Sequence, residues 1–226
     1  MKQAVKVVKS IKTAAIVYSM SSAILLAVDI SYSMSNAFGG LERLTKLEAV
    51  TKAITTFFDW ASKRQKAYGA DKRSKLGLLF YRTVWTPERP DFNIICPLKF
   101  FPPIPHKGRI SGIKPGGNSP LLEAILKGSS LLSEAQADRK LISVITGDSM
   151  SNFGLKIGDV ETKVITRLKE QCVCVSILQA GHAKESGFKP LVTALQSVTS
   201  KHPAESKIAL TVRQMSEWLQ APFEAI

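Results

Sequence analysis

Cysteine and histidine are scarce in this 226-residue chain, and each scarcity removes a class of function. The three cysteines, Cys96, Cys172 and Cys174, are odd in number, and the Cys-x-Cys pair opens the apolar run 172–178. They make neither a disulfide framework nor a zinc knuckle, so a reducing setting, the cytoplasm, is expected. The three histidines, His106, His182 and His202, fall on separate loops, which leaves the serines without an evident imidazole base. There is no Gly-x-x-x-x-Gly-Lys-Ser/Thr phosphate loop and no Gly-x-Ser-x-Gly elbow. These gaps together argue against an enzyme.

Acidic residues are also under-represented. Eighteen Asp and Glu face 31 Lys and Arg, a net charge of +13. A field of that sign favours acidic partners, nucleic acid or an anionic surface at the encounter stage. No Arg-rich or aromatic-interleaved run accompanies the charge, so nucleic-acid or anionic-surface association is an alternative reading that rests on net charge alone.

What is present begins with residues 1–20. Lys2, Lys6, Lys9 and Lys12 lie opposite Ala4, Val7, Val8, Ile11, Ala14 and Ala15 when the segment is wound as a helix. The expectation is a retained basic amphipathic segment docked on its own domain. Its small-residue apolar side disfavours membrane attachment. Residues 21–226 are long enough for one sizeable core, with no repeat and no low-complexity linker, so 1–226 reads as a single domain.

The chain is organised around 24–35, where the run Ile24–Val28 ends in Asp29 and then in Ser31, Ser33 and Ser35. An apolar run without polar alternation is a strand buried on both faces, as in a helix-covered parallel sheet. Ligands of such sheets bind outside the carboxyl ends of the strands, where Asp29, Ser31 and Ser33 would sit. Hard oxygen ligands crowded on one loop suit Mg²⁺.

Helical spacing of Leu47, Val50, Ile54, Phe57, Phe58 and Ala61 predicts a long core-facing helix from Thr45 to about Tyr68. Strands are predicted at Leu76–Tyr81 and Phe92–Leu98, and the segment between them is too short for a crossover, so the two should pair antiparallel. Pro115-Gly116-Gly117-Asn118-Ser119-Pro120-Leu121 reads as a glycine turn into a helix, with Ser119 as N-cap and Pro120 at the first helical position. The buried strand Leu141–Ile145 then runs into Thr146-Gly147-Asp148-Ser149. Later segments give helices at Lys163–Gln171, Leu191–Val198 and Val212–Leu219, and strands at Val173–Leu178 and Ile208–Leu210. This alternation predicts an α/β fold: a doubly wound, mostly parallel six-stranded sheet with one antiparallel edge strand and helices on both faces.

Three loops in this order resemble the metal-ion-dependent adhesion site of von Willebrand factor A (VWA) domains. The first loop matches the pattern Asp-x-Ser-x-Ser-Met through Asp29, Ser31, Ser33 and Met34, although Tyr32 stands where glycine is common. The second resembles Gly-Gly-Thr-Pro-Leu, with Ser119 at the threonine position and Asn118 where glycine is frequent. The third departs from the usual Thr-Asp-Gly, since Gly147 and Asp148 stand in reversed order. The resemblance implies that Asp29, Ser31, Ser33, Ser119 and Asp148 hold Mg²⁺ or Mn²⁺, and that a partner protein's Asp or Glu completes the shell. Tyr32, Asn118 and His182 would form the partner-binding rim. Size and cysteine use are similar to those of small cytosolic bacterial VWA proteins encoded with tellurite-resistance systems or MoxR-type AAA+ ATPases, which implies a stress-response or ATPase-associated complex.

Overall fold

A computed structural model of the chain describes residues 21–39, 43–69, 71–85, 87–101, 110, 112–147, 153–181, 188–198 and 206–224. The amphipathic reading of 1–20 and the positions of Asp148 and His182 lie outside the described residues.

Six strands make one sheet: β1 (Ser22–Asp29), β2 (Asp71–Trp85), β3 (Glu88–Phe101), β4 (Arg139–Thr146), β5 (Val173–Ala180) and β6 (Lys207–Ala209). Their spatial order is β3-β2-β1-β4-β5-β6, with β3 antiparallel at one edge and every other pairing parallel. All eight residues of β1 are buried, as an apolar run between two helical layers requires. The hairpin β2–β3 is longer than the apolar runs within it. Its outer residues are charged and exposed, which hides the strand ends from hydrophobic patterning.

Five α-helices among the described residues cover the sheet. On one face lie α1 (Lys46–Tyr68) and α5 (Val212–Glu224), whose Val50, Ile54, Phe57, Met215, Trp218 and Phe223 pack on Leu26, Val28, Leu78 and Phe80. Phe223 stacks on Phe101 of β3 with ring centroids 4.2 Å apart, which ties both helices to the antiparallel edge. The start of α1 is a reciprocal cap: Glu48 N–H donates to the Thr45 hydroxyl oxygen, and Thr45 N–H donates to Glu48 Oε2. On the opposite face, α2 (Leu121–Ser133), α3 (Thr166–Glu170) and α4 (Phe188–Ala194) bury Leu122, Ile125, Leu168 and Leu191 against Leu25, Ile142 and Val175.

The reading of Lys163–Gln171 as one regular helix needs correction. A short 3-10 turn at 157–159 and a wide π-helical turn at Val160–Ile165 precede α3. Likewise α4 begins at Phe188 and ends at Ala194, and Leu195–Val198 form turns. No helix among the described residues is long and apolar enough to cross a membrane.

Candidate metal centre

The carboxyl ends of β1 and β4 and the turn before α2 converge because backbone hydrogen bonds tie their loops together. Gly116 N–H donates to the Ile30 carbonyl at 2.9 Å, and Tyr32 N–H donates to the Gly117 carbonyl at 2.9 Å. Thr83 at the end of β2 locks the same turn: its N–H donates to the Asn118 carbonyl at 3.0 Å, and its hydroxyl oxygen accepts Asn118 N–H at 2.8 Å. Gly117 adopts φ +73°, and a Cβ there would stand inside the Thr83 carbonyl. Only glycine satisfies both the backbone and the contact.

Asp29 forms the floor of this convergence and is fully buried. Its Oδ1 accepts Ser31 N–H at 2.7 Å, and its Oδ2 accepts the Thr146 hydroxyl at 3.2 Å and Gly147 N–H at 3.4 Å. The Ser31 and Ser119 hydroxyls also stabilise it. Burial is the largest influence and raises its pKa; the hydrogen bonds act in the other direction without cancelling it. The influences on this carboxylate are thus burial and neutral donors.

Hydroxyls sit above that floor. Ser31 Oγ and Ser33 Oγ are 3.1 Å apart; Ser31 is buried and Ser33 half-buried, so the set opens toward solvent on the Ser33 side. Ser119 is fully buried. It does not cap α2 as the sequence suggested: Pro120 takes the cap position, its carbonyl accepting Ala124 N–H, while the Ser119 hydroxyl is directed to Asp29. The structure therefore brings together Asp29, Ser31, Ser33 and Ser119 from two loops far apart in sequence. Among the described residues no three His, Cys, Asp or Glu side chains form a cluster, so the donor set is one carboxylate and three hydroxyls. Hard oxygens fit Mg²⁺, which retains several waters, and a buried carboxylate held by neutral donors is the electrostatic situation that a divalent cation relieves.

Of the proposed rim, Tyr32 is 57% exposed and meets the exposed Trp85 at 6.1 Å between ring centroids. Asn118 is half-buried, and its side-chain amide donates to Glu88 Oε1 at 2.6 Å, bracing the turn against the β2–β3 hairpin.

Three residues join the site that sequence reasoning missed. Tyr81, paired with Asp29 across β1–β2, is buried beside Asp29, Thr146 and Ser119. Its phenol pKa is pushed well up, first by burial and then by the Asp29 charge. Thr146 carries one of the donors to Asp29. Lys46, in the first turn of α1, is buried and donates to the Gly147 carbonyl, tying that helix to the third loop. Gly147 itself is closely surrounded: a Cβ would lie 2.5 Å from Met34 Sδ and 3.0 Å from Ser33 Oγ. A side chain at 147 would thus point into the donor set, and this chain has glycine there.

No protein-family model matches the sequence, and no curated protein does. Solved structures do. A von Willebrand factor type A protein from Catenulispora acidiphila superposes with TM-score 0.63 at 10% identity, over 89% of this chain and 41% of that one. The vWF domain of the type V pili tip protein Mfa5 from Porphyromonas gingivalis gives 0.58 at 9% identity, over 91% and 94%. The PilB minor pilin from Streptococcus sanguinis gives 0.55 at 13% identity, over 91% of this chain and 61% of the pilin, so the chain spans about three-fifths of that protein.

Proposed function

We propose, from a chain that has the von Willebrand factor A fold, a non-catalytic protein-interaction module that binds an acidic residue of a partner protein through a Mg²⁺- or Mn²⁺-dependent site. The observation that carries this reading is Asp29: a fully buried carboxylate surrounded by neutral donors, beneath hydroxyls that open toward solvent. Asp29, Ser31, Ser33 and Ser119 are the residues that would hold the cation, with Asp148 as a further contributor. The bound cation supplies positive charge and a coordination position that an Asp or Glu side chain can fill.

The chain's own residues set the terms of that contact. Asp29 is oriented from three sides by Ser31, Thr146 and Gly147, so its lone pairs are fixed before any ligand arrives. Gly147 brings no negative charge to the rim. A cation held with one fewer carboxylate is bound less tightly on its own and attracts an acidic ligand more strongly. The excess of basic residues steers such a ligand toward the protein. We place the module in the cytoplasm, as an adaptor in a bacterial stress-response or ATPase-associated complex, on the strength of the sequence resemblance and the cysteine content. The pilus-tip and pilin neighbours are likewise parts of assemblies by their names, which accords with an interaction role.

A Mg²⁺-dependent pull-down from the native host, with Asp29→Ala as control, tests this. Partners should be retained in Mg²⁺, released by EDTA and absent with the variant. Retention that is indifferent to both EDTA and Asp29 would overturn the reading.

A further inference from the structure

Much of the positive charge among the described residues gathers at one place in the fold. Three segments meet at the pole opposite the candidate metal centre: the last turns of α1, the beginning of β2 that follows it directly, and the end of β3, about 25 residues further on. They bring Lys63, Arg64 and Lys66, then Lys72, Arg73 and Lys75, then Lys99. Strand register makes them neighbours, since Lys75 pairs with Phe100 and Leu76 with Lys99, while β2 begins three residues after α1 ends. The acid within these segments is Asp71, whose Oδ1 is engaged by the N–H groups of Arg73 and Ser74.

Aromatic rings are interleaved with this charge: Trp60 and Tyr68 lie in the same stretch as six of the bases, and the β2–β3 register adds Phe100. Tyr68 is 86% exposed and Phe100 is 55% exposed. Lys75 Nζ lies 5.7 Å from the Phe100 ring centroid, and the Arg64 guanidinium lies 5.5 Å from that of Trp60. Two large rings thus stand open to water at one basic pole.

We infer that this pole is a docking surface for an anionic phospholipid membrane. Side-chain geometry favours that occupant over a nucleic-acid strand. Phe101 packs on α1 through Phe57 and Trp60, so the alternation of β3 places Phe100 on the other face of the sheet from α1 and its Tyr68. Two rings on opposite sides of a sheet edge cannot stack successive bases in one groove, whereas a broad surface meeting the pole end-on reaches both. Five of the seven bases are lysines, which act as point charges and lack the planar fork that reads nucleic acid. A tyrosine beside lysines suits the headgroup level, where an apolar ring and a polar tip are both accommodated. The expectation that membrane contact is disfavoured was drawn from residues 1–20, which lie outside the described residues.

Cosedimentation of the full chain with phosphatidylglycerol-containing vesicles, in EDTA so that the candidate metal centre is silent, tests the inference. Binding should require the anionic lipid, be absent with pure phosphatidylcholine and weaken with salt. Each basic residue lost should cost about fivefold. The triple variant Lys66→Gln, Lys72→Gln, Arg73→Gln should therefore bind about 100-fold more weakly. Tyr68→Ala with Phe100→Ala should weaken binding at unchanged charge. All five positions are exposed, and circular dichroism checks that the variants fold. Absence of vesicle binding by the wild type, equal binding by the triple variant, or a poly-dT oligonucleotide binding at lower concentration than the vesicles would each overturn it.

Discussion

Substituting Gly147 by alanine probes whether the first and third loops touch as the metal centre requires. The added Cβ would lie 2.5 Å from Met34 Sδ and 3.0 Å from Ser33 Oγ, both well inside normal contact. The φ of Gly147 lies outside the left-handed region, so the cost comes from contact and not from backbone strain. Overpacking of this kind costs about 1–3 kcal/mol, and in a domain of this length each kcal/mol lowers Tm by about 2–4 °C. Met34 is fully buried, so Met34→Ala alone should cost about 2–5 kcal/mol through the cavity it leaves. The double variant is the decisive one, because removing the thioether opens the space that the new methyl needs. Its destabilisation should fall short of the sum of the two single changes by about 1–3 kcal/mol, within the range of coupling between residues in contact. Guanidinium unfolding followed by circular dichroism supplies all four corners of the cycle. Additivity within about 0.5 kcal/mol would refute the contact between the loops.

Two further outcomes follow from the same structure. Lys46→Met keeps the aliphatic stem but removes the donor to the Gly147 carbonyl, and thermal melts should show a loss of about 1–3 kcal/mol for the carbonyl left buried. Asp138 accepts Ser21 N–H and the Ser21 hydroxyl, both at 2.8 Å, and these bonds hold its pKa below the ordinary aspartate range. A depressed folded-state pKa contributes stability above the unfolded value of about 3.9 and loses it as pH falls through the folded one. Asp138→Asn should thus destabilise at pH 7, and urea titrations should show the difference between wild type and variant shrinking below about pH 4; a difference that persists unchanged at pH 2 would contradict the assignment.

The fold was legible where burial is complete. Ile24–Val28 is apolar throughout, and Leu141–Ile145 and Val173–Leu178 are apolar but for the buried Ser143 and Ser176, because helices cover both faces of the sheet; the short segment between Tyr81 and Phe92 pointed to the antiparallel edge. Legibility failed at the sheet's margins. The outer parts of β2 and β3 carry Lys72, Arg73, Arg82 and Lys99, and their pairing depends on strand register that no hydrophobic period reports. The predicted helix Lys163–Gln171 takes in the end of the Val160–Ile165 π-helical turn because apolar spacing does not distinguish a π-helical turn from an α-helical one.

Within the site, Asp29, Ser31, Ser33 and Ser119 could be read from two short motifs, since each motif is local. Lys46 could not: a lysine in the first turn of a helix ordinarily faces water, and its burial depends on an acceptor a hundred residues away. Tyr81 read simply as the end of a strand, and only the β1–β2 register places it beneath Asp29. Ser119 read as a cap because proline after serine usually starts a helix, whereas in the fold Pro120 holds the cap position and the Ser119 hydroxyl serves Asp29. The basic aromatic pole is only partly a tertiary construction: six of its seven bases and Tyr68 lie within 63–75, and the β2–β3 register adds Lys99 and Phe100.

The central claim is that Asp29 anchors a divalent cation which in turn takes up a carboxylate. Calorimetric titration of Mg²⁺ and Mn²⁺ into the wild type and into Asp29→Asn, each with and without a glutamate-containing peptide, tests it most directly. The account predicts metal binding by the wild type that the peptide strengthens, and loss of both in a variant whose circular dichroism is unchanged. Equal metal binding by wild type and Asp29→Asn, or none by the wild type with the peptide present, would contradict it.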